Sequence, residues 1–213
     1  MIRKLYKEYK IGIIDSGRGG QFITQKLQAV FPEAKFIQYR PYTFQAFGSL
    51  DMRDLQHCIN LQLDFLRGNN LDFVVIGCMT ASVRMGIYIR ESLPYPVWDI
   101  YTPVVYNLDK GSTVVCTPNS VPGFKEHNVI PCMNLAFMIE NNYPTEVYDR
   151  ETLKAYIYQC FYGIQYSTKD KPLLLGCTHY YSVIDLLEEI SGCSHIVYPD
   201  VYLINSLLDF YAY

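Results

Sequence analysis

No run of this sequence approaches the roughly 18 consecutive apolar residues that a membrane-spanning helix needs. The apolar stretch IGII near the N-terminus stops at Asp15, too short for a signal h-region. Basic clusters are missing as well: 18 Lys and Arg are scattered among 21 Asp and Glu, a formal charge of −3, which argues against a nucleic-acid binder. The seven cysteines are an odd count with no CxxC pair and no zinc-like Cys/His spacing, which reads as reduced, cytoplasmic thiols. Low-complexity segments and strict repeats are absent too, so neither a linker-rich nor a solenoid architecture is expected.

What is present is a globular composition. Half of the 213 residues are apolar, enough to bury a substantial core in one domain or in two lobes of about 100 residues each. Short apolar runs at 11–15, 35–39, 73–78, 113–116, 173–176 and 195–198 alternate with segments of helical period at 21–30, 51–67, 82–91, 151–165, 183–189 and 202–210. That alternation predicts an α/β fold of two similar lobes, each a mostly parallel sheet flanked by helices, facing each other across a cleft. The Pro-rich stretch 92–103 is the candidate inter-lobe crossing. The first lobe is expected over 1–94, with 198–213 returning to it, and the second over 95–197.

Two runs, FVVIGCMTAS from Phe73 and LLLGCTHYY from Leu173, end in Gly-Cys with Thr close behind. Each apolar part is too short for a helix and fits a strand covered on both faces. Cys78 and Cys177 therefore sit at strand-to-helix turns, where a helix N-terminus lowers a thiol's pKa. A single such cysteine is most often a small buried hydrophobe; two in the same local context, with Thr80, Thr178 and His179 as donors, point to chemistry. His179 is two residues from Cys177 and can serve it as hydrogen-bond partner or proton donor. The segment DSGRGG (Asp15 to Gly20) follows the first strand and matches neither GxGxxG nor the Walker pattern. Its Asp15 nevertheless stands where open α/β sheets place ligands. Cys58, Cys116, Cys132, Cys160 and Cys193 read as core residues, and Glu140, in FMIENN, fits a solvated helix end equally well.

Taken together, IGIIDSGRGG, VVIGCMTAS and LLLGCTHYY, in this order and joined by VVCTPNSVPG and CMNLAFMIE, make the chain resemble the cofactor-independent aspartate/glutamate racemase family, most nearly its glutamate racemase branch. The resemblance covers nearly the whole chain. It implies two pseudosymmetric α/β lobes and proton transfer at an amino acid's α-carbon by one cysteine from each lobe, without pyridoxal phosphate or metal. On that resemblance Cys78 and Cys177 are the acid/base pair, assisted by Asp15, His179 and Glu140. The substrate-binding set is Ser16, Gly48, Thr80, Thr117, Ser120 and Thr178, and the ligand is a small anionic amino acid or dicarboxylate. The product role it implies is D-glutamate supply for cell-wall peptide synthesis. Twenty tyrosines suit a homodimer interface or ordinary packing alike.

Three departures from the family pattern bear on substrate. Met79 stands where the family has Asn, and Tyr181 where it has Pro. The family's Pro-Tyr-Gly turn corresponds either to Pro41-Tyr42 or, with better spacing, to Ala46-Phe47-Gly48, in which case a hydroxyl is missing. The competing expectations are therefore another enzyme of the superfamily, acting on aspartate, a hydantoin or a maleate-like diacid, or a catalytically silent ligand-binding relative.

Overall fold

The computed structural model describes residues 7–40, 45–142, 148–164 and 171–211; Pro41, Tyr42 and Gln165 lie outside them. Its first half runs β1 (Lys10–Ile14), α1 (Arg18–Val30), β2 (Lys35–Gln38), α2 (Met52–Arg67), β3 (Phe73–Ile76), α3 (Met79–Ser92), β4 (Val97–Asp99) and α4 (Thr102–Asn107). Its second half runs β5 (Thr113–Cys116), β6 (Asn128–Pro131), α5 (Leu135–Asn141), α6 (Arg150–Phe161), β7 (Leu173–Gly176), α7 (Ile184–Ser191), β8 (Ile196–Val197) and α8 (Pro199–Tyr211). Short 3-10 turns lie at Phe47–Ser49, Pro118–Phe124 and Thr178–Val183.

The strands form two four-stranded parallel sheets, ordered β2-β1-β3-β4 and β6-β5-β7-β8. Both obey one topology. In each, the first strand pairs with the second on one side and the third on the other, so the chain reverses its direction of travel across the sheet at that strand. Ligands of open α/β sheets bind outside the carboxyl ends of the strands at this switch point. Here those ends are followed by Asp15 and Cys78 in the first sheet, and by Thr117 and Cys177 in the second.

The sequence dictates these central strands directly: β3, β5 and β7 are buried at every position, as contiguous Val, Ile and Leu runs require when helices cover both faces. Helices α2 and α6 start at Asp51 and Asp149, whose carboxylates accept the amides of Asp54 at 2.8 Å and Thr152 at 2.7 Å, a standard N-cap arrangement. Helix α3 begins at Met79, directly after Cys78, so the cysteine itself occupies the N-cap position.

Three departures from the sequence reading concern the edges. The stretch 92–103 is not a crossing: it supplies β4, which pairs with β3 in the first sheet, and the start of α4, with proline in its first turn. The first sheet thus extends past residue 94. Strands β4 and β6 went unread because each is a short edge strand flanked or ended by proline, the setting in which sheets tolerate that residue. Helix α8 packs against α1 and β4 but also against β7, and Leu203 and Leu207 belong to a core cluster containing Ile11 and Phe73 of one sheet and Val114 and Leu174 of the other. The two lobes share a core. Their approach leaves no room for side chains at Gly19 and Gly48, where an added Cβ would collide with Thr178 and Thr117 of the opposite lobe.

Candidate active site

The carboxyl ends of the two sheets meet around one small cavity. Ser16, Phe47, Gly48, Cys78, Met79 and Thr80 line it from the first lobe, and Thr117, Ala136, Cys177, Thr178 and His179 from the second, with Ala46 beside Phe47. Cys78 and Cys177 each retain 7% of their surface. The cavity holds about 10 Å³, the room one water needs, so a dicarboxylate enters only if the lobes widen. A larger open groove of about 450 Å³ lies between α4 and α8, but it offers neither thiol nor imidazole. Both thiols and the imidazole line the small cavity.

Behind Cys177 stands a relay that runs from the buried His179 to the partly buried Glu140. The sulfur lies 3.7 Å from Nδ1 of His179, and Nε2 of the same ring lies 2.7 Å from Oε2 of Glu140. Glu140 also accepts the Arg18 amide at 2.9 Å and the Arg40 guanidinium at 2.7 Å. Burial opposes the imidazolium, but hydrogen bonds to Cys177 and Glu140, with the nearby Asp15 charge, raise His179 to about 10. Burial likewise opposes the Glu140 carboxylate, and His179, the Arg18 amide and Arg40 outweigh it, holding Glu140 at about 2. The pair is therefore ionic at neutral pH, with a proton on each ring nitrogen and Nδ1 directed at the thiol.

Cys78 is different. Burial, followed by the charge of Asp15, pushes its thiol well above the ordinary range, although the amides of Ala81 and Thr80 at the start of α3 favour the thiolate. This corrects the expectation of a lowered pKa at Cys78: the helix N-terminus is present, but desolvation in the closed cleft outweighs it. Asp15 is fully buried and raised to about 6, chiefly by burial. Its Oδ1 accepts the Gly17 amide at 2.9 Å while Oδ2 has no hydrogen-bond partner.

The hydroxyls of Thr80, Thr117 and Ser120 form a closed triangle across the lobes, with edges of 2.9, 3.1 and 3.1 Å. Three such groups carry three protons among them, so the triangle can turn its donors toward an entering anion. Every residue singled out from sequence thus falls in one constellation. Cys78, Cys177, Ser16, Gly48, Thr80, Thr117, Thr178 and His179 face the cavity, whereas Asp15, Ser120 and Glu140 stand directly behind it. Glu140 is a partly buried ion-pair partner of His179, not a solvated helix end. Of the other cysteines, Cys116, Cys132 and Cys193 are core residues, but Cys58 and Cys160 are only half-buried.

Sequence reasoning missed Arg40 and Ala136. Arg40 carries no local signal, since it meets Glu140 across 100 residues of chain. Ala136 sits in the first turn of α5, a helix hidden in the segment that leads to Glu140. With Ala46, Phe47 and Met79 it gives the cavity an apolar wall.

No family model matches the chain. It is 30% identical over 192 residues to the glutamate racemase of Fusobacterium nucleatum, spanning 82% of this chain and 70% of that protein. It is 25% identical over 197 residues to glutamate racemase 3 of Caldanaerobacter subterraneus, spanning 85% and 70%. The crystal structure of glutamate racemase from Francisella tularensis in complex with D-glutamate superposes with a TM-score of 0.78 at 22% identity, over 95% of this chain and 82% of that one. Allantoin racemase from Pseudomonas fluorescens shares the fold at a TM-score of 0.60 and 17% identity, over 94% and 91%.

Proposed function

Because the chain belongs to the glutamate racemase family, we propose that it inverts the α-carbon of an acidic amino acid, glutamate first among them, by proton transfer between two thiols. One observation carries the reading: Cys78 and Cys177, delivered by equivalent strands of two sheets, line a single small cavity. Inversion requires a proton to leave one face of the α-carbon and another to arrive on the opposite face, so two acid/base groups on facing walls suffice.

The two thiols are prepared differently, as such a reaction demands. At any moment one must hold a proton and the other must lack it. Burial and Asp15 keep the proton on Cys78, while Cys177 lies 3.7 Å from Nδ1 of His179. In one direction Cys177 removes the α-proton and Cys78 delivers its own; the reverse direction exchanges these roles. Negative charge developing on the substrate carboxylate falls among the Thr80, Thr117 and Ser120 hydroxyls and the amides that open α1 and α3, a preorganised setting. The residues implied by the resemblance, Ser16, Gly48 and Thr178, complete the substrate wall. The enzyme acts in the cytoplasm and supplies the D-isomer for peptidoglycan.

A second reading rests on the apolar wall. Ala46, Phe47, Met79 and Ala136 suit a ligand with less charge at the end distant from the reacting carbon, such as a hydantoin. Single enantiomers of glutamate, aspartate and a 5-substituted hydantoin, each incubated with the enzyme and followed by circular dichroism, separate the two. Glutamate alone racemised supports the first reading, the hydantoin alone supports the second, and no change with any of the three contradicts both.

A further inference from the structure

The small cavity admits a dicarboxylate only if the lobes part, so the contacts that hold them together at the cleft govern access to both thiols. Glu140 stands at this junction. It belongs to α5 of the second lobe, yet two donors from the first lobe reach its carboxylate. The Arg18 amide, at the start of α1, donates to Oε2 at 2.9 Å, and the Arg40 guanidinium, two residues beyond β2, donates to Oε1 at 2.7 Å. Nε2 of His179 shares Oε2 at 2.7 Å.

Other contacts across the cleft, such as Thr80 with Thr117 and the Asn119 amide with the Phe47 and Leu50 carbonyls, join neutral groups. Arg40 and Glu140 instead meet as opposite charges, with side chains 33% and 12% exposed. An ion pair fully open to water contributes little. Here the carboxylate is largely withdrawn from solvent and its other oxygen is already committed, so the guanidinium meets one fixed acceptor.

We propose that Arg40 is a positioning residue: its guanidinium latches Glu140 across the cleft, holding the lobes together over Cys78 and Cys177 and leaving Oε2 of Glu140 to His179. When the latch parts, substrate enters; when it re-forms, the imidazole is again anchored beside Cys177. Arg40 does not line the cavity and so acts through Glu140. The consequence for turnover rests on the racemase reading of this site, but the latch itself does not, and thiol accessibility tests it without any substrate.

Cys78 and Cys177 each keep 7% of their surface, so alkylation by iodoacetamide proceeds through the parted form and its rate reports how often the lobes part. Cys58, half-buried on α2 and outside the cleft, is the internal reference. In Arg40→Gln both cleft thiols should be alkylated about 5- to 10-fold faster than in the parent, relative to Cys58. Arg40→Lys, which keeps the charge, should stay within about twofold of the parent. In the parent, raising sodium chloride from about 0.05 to about 0.5 M should also speed both thiols by screening the ion pair, and Arg40→Gln should lack this response. Parental rates at both thiols in Arg40→Gln would overturn the proposal, as would an equal acceleration of Cys58, which signals general loosening, or a Lys variant as open as the Gln variant. A parent indifferent to salt would overturn it too, and that measurement requires no variant to fold.

Discussion

Glu140 and His179, 39 residues apart in sequence, are joined by a 2.7 Å hydrogen bond between Oε2 and Nε2 inside the cleft. This contact fixes what the imidazole can do. With Nε2 committed to a carboxylate, Nδ1 is the atom presented to Cys177 at 3.7 Å, and the carboxylate's charge keeps the ring cationic. Arg40, from the other lobe, holds the second Glu140 oxygen at 2.7 Å, so the relay is complete only when the lobes are together.

Replacing Glu140 by Gln should lower kcat by about 10- to 100-fold, since a hydrogen bond to a charged group contributes about 1.5–3 kcal/mol. The alkaline limb of the pH–rate profile should also move toward neutrality from its origin near 10. A loss of kcat with an unmoved alkaline limb would mean that His179 does not depend on Glu140 for its charge.

The same pair makes stability fall in alkali. His179 is raised in the folded state to about 10, so its contribution is complete below the unfolded value of about 6.5 and disappears as pH rises from there to about 10. Urea unfolding of the wild type and of His179→Gln should therefore differ most at pH 6, and the difference should shrink by a few kcal/mol by pH 10. A difference independent of pH would contradict an ionic relay.

Asp15 should show the opposite balance between stability and activity. The folded state raises it to about 6, so stability falls as pH rises from about 4 to about 6 and the full penalty stands above that. Asp15→Asn removes a buried charge, and at pH 8 it should stabilise the fold by on the order of 1–3 kcal/mol while lowering turnover. Loss of both would show that the carboxylate is a structural ligand of the α1 turn.

Met79 lines the cavity at the start of α3, where the family pattern has an amide donor. If glutamate is the substrate, Met79→Asn should raise glutamate turnover by up to roughly 10- to 100-fold for a transition-state contact of 1.5–3 kcal/mol. High glutamate activity in the parent that falls on substitution would show that the apolar wall is part of substrate recognition.

What was legible in the sequence was the interior of each sheet. β3 and β7 are buried on both faces, so their burial is written as unbroken apolar runs, and Asp15, Cys78 and Cys177 follow strand ends within one or two residues. Edge strands carry weaker marks: β4 has three residues and β6 is half open to solvent, and proline beside each reads as a loop. Helix α4, six residues long, is too short to display a period. The site was legible wherever a residue's role follows from its place on its own strand or helix. Arg40 and Ala136 reach the site only through the approach of the lobes, and the raised Cys78 thiol reflects desolvation, which local sequence cannot express.

The central claim, two thiols on opposite walls exchanging roles, is tested most directly by following each glutamate enantiomer in deuterium oxide at low conversion, with the α-position read by mass spectrometry after chiral separation. The account predicts that the product enantiomer carries deuterium while the recovered substrate retains its proton, because removal and delivery use different sulfurs. Deuterium appearing equally in recovered substrate and product would contradict it, since a single base or free exchange would then be moving the proton.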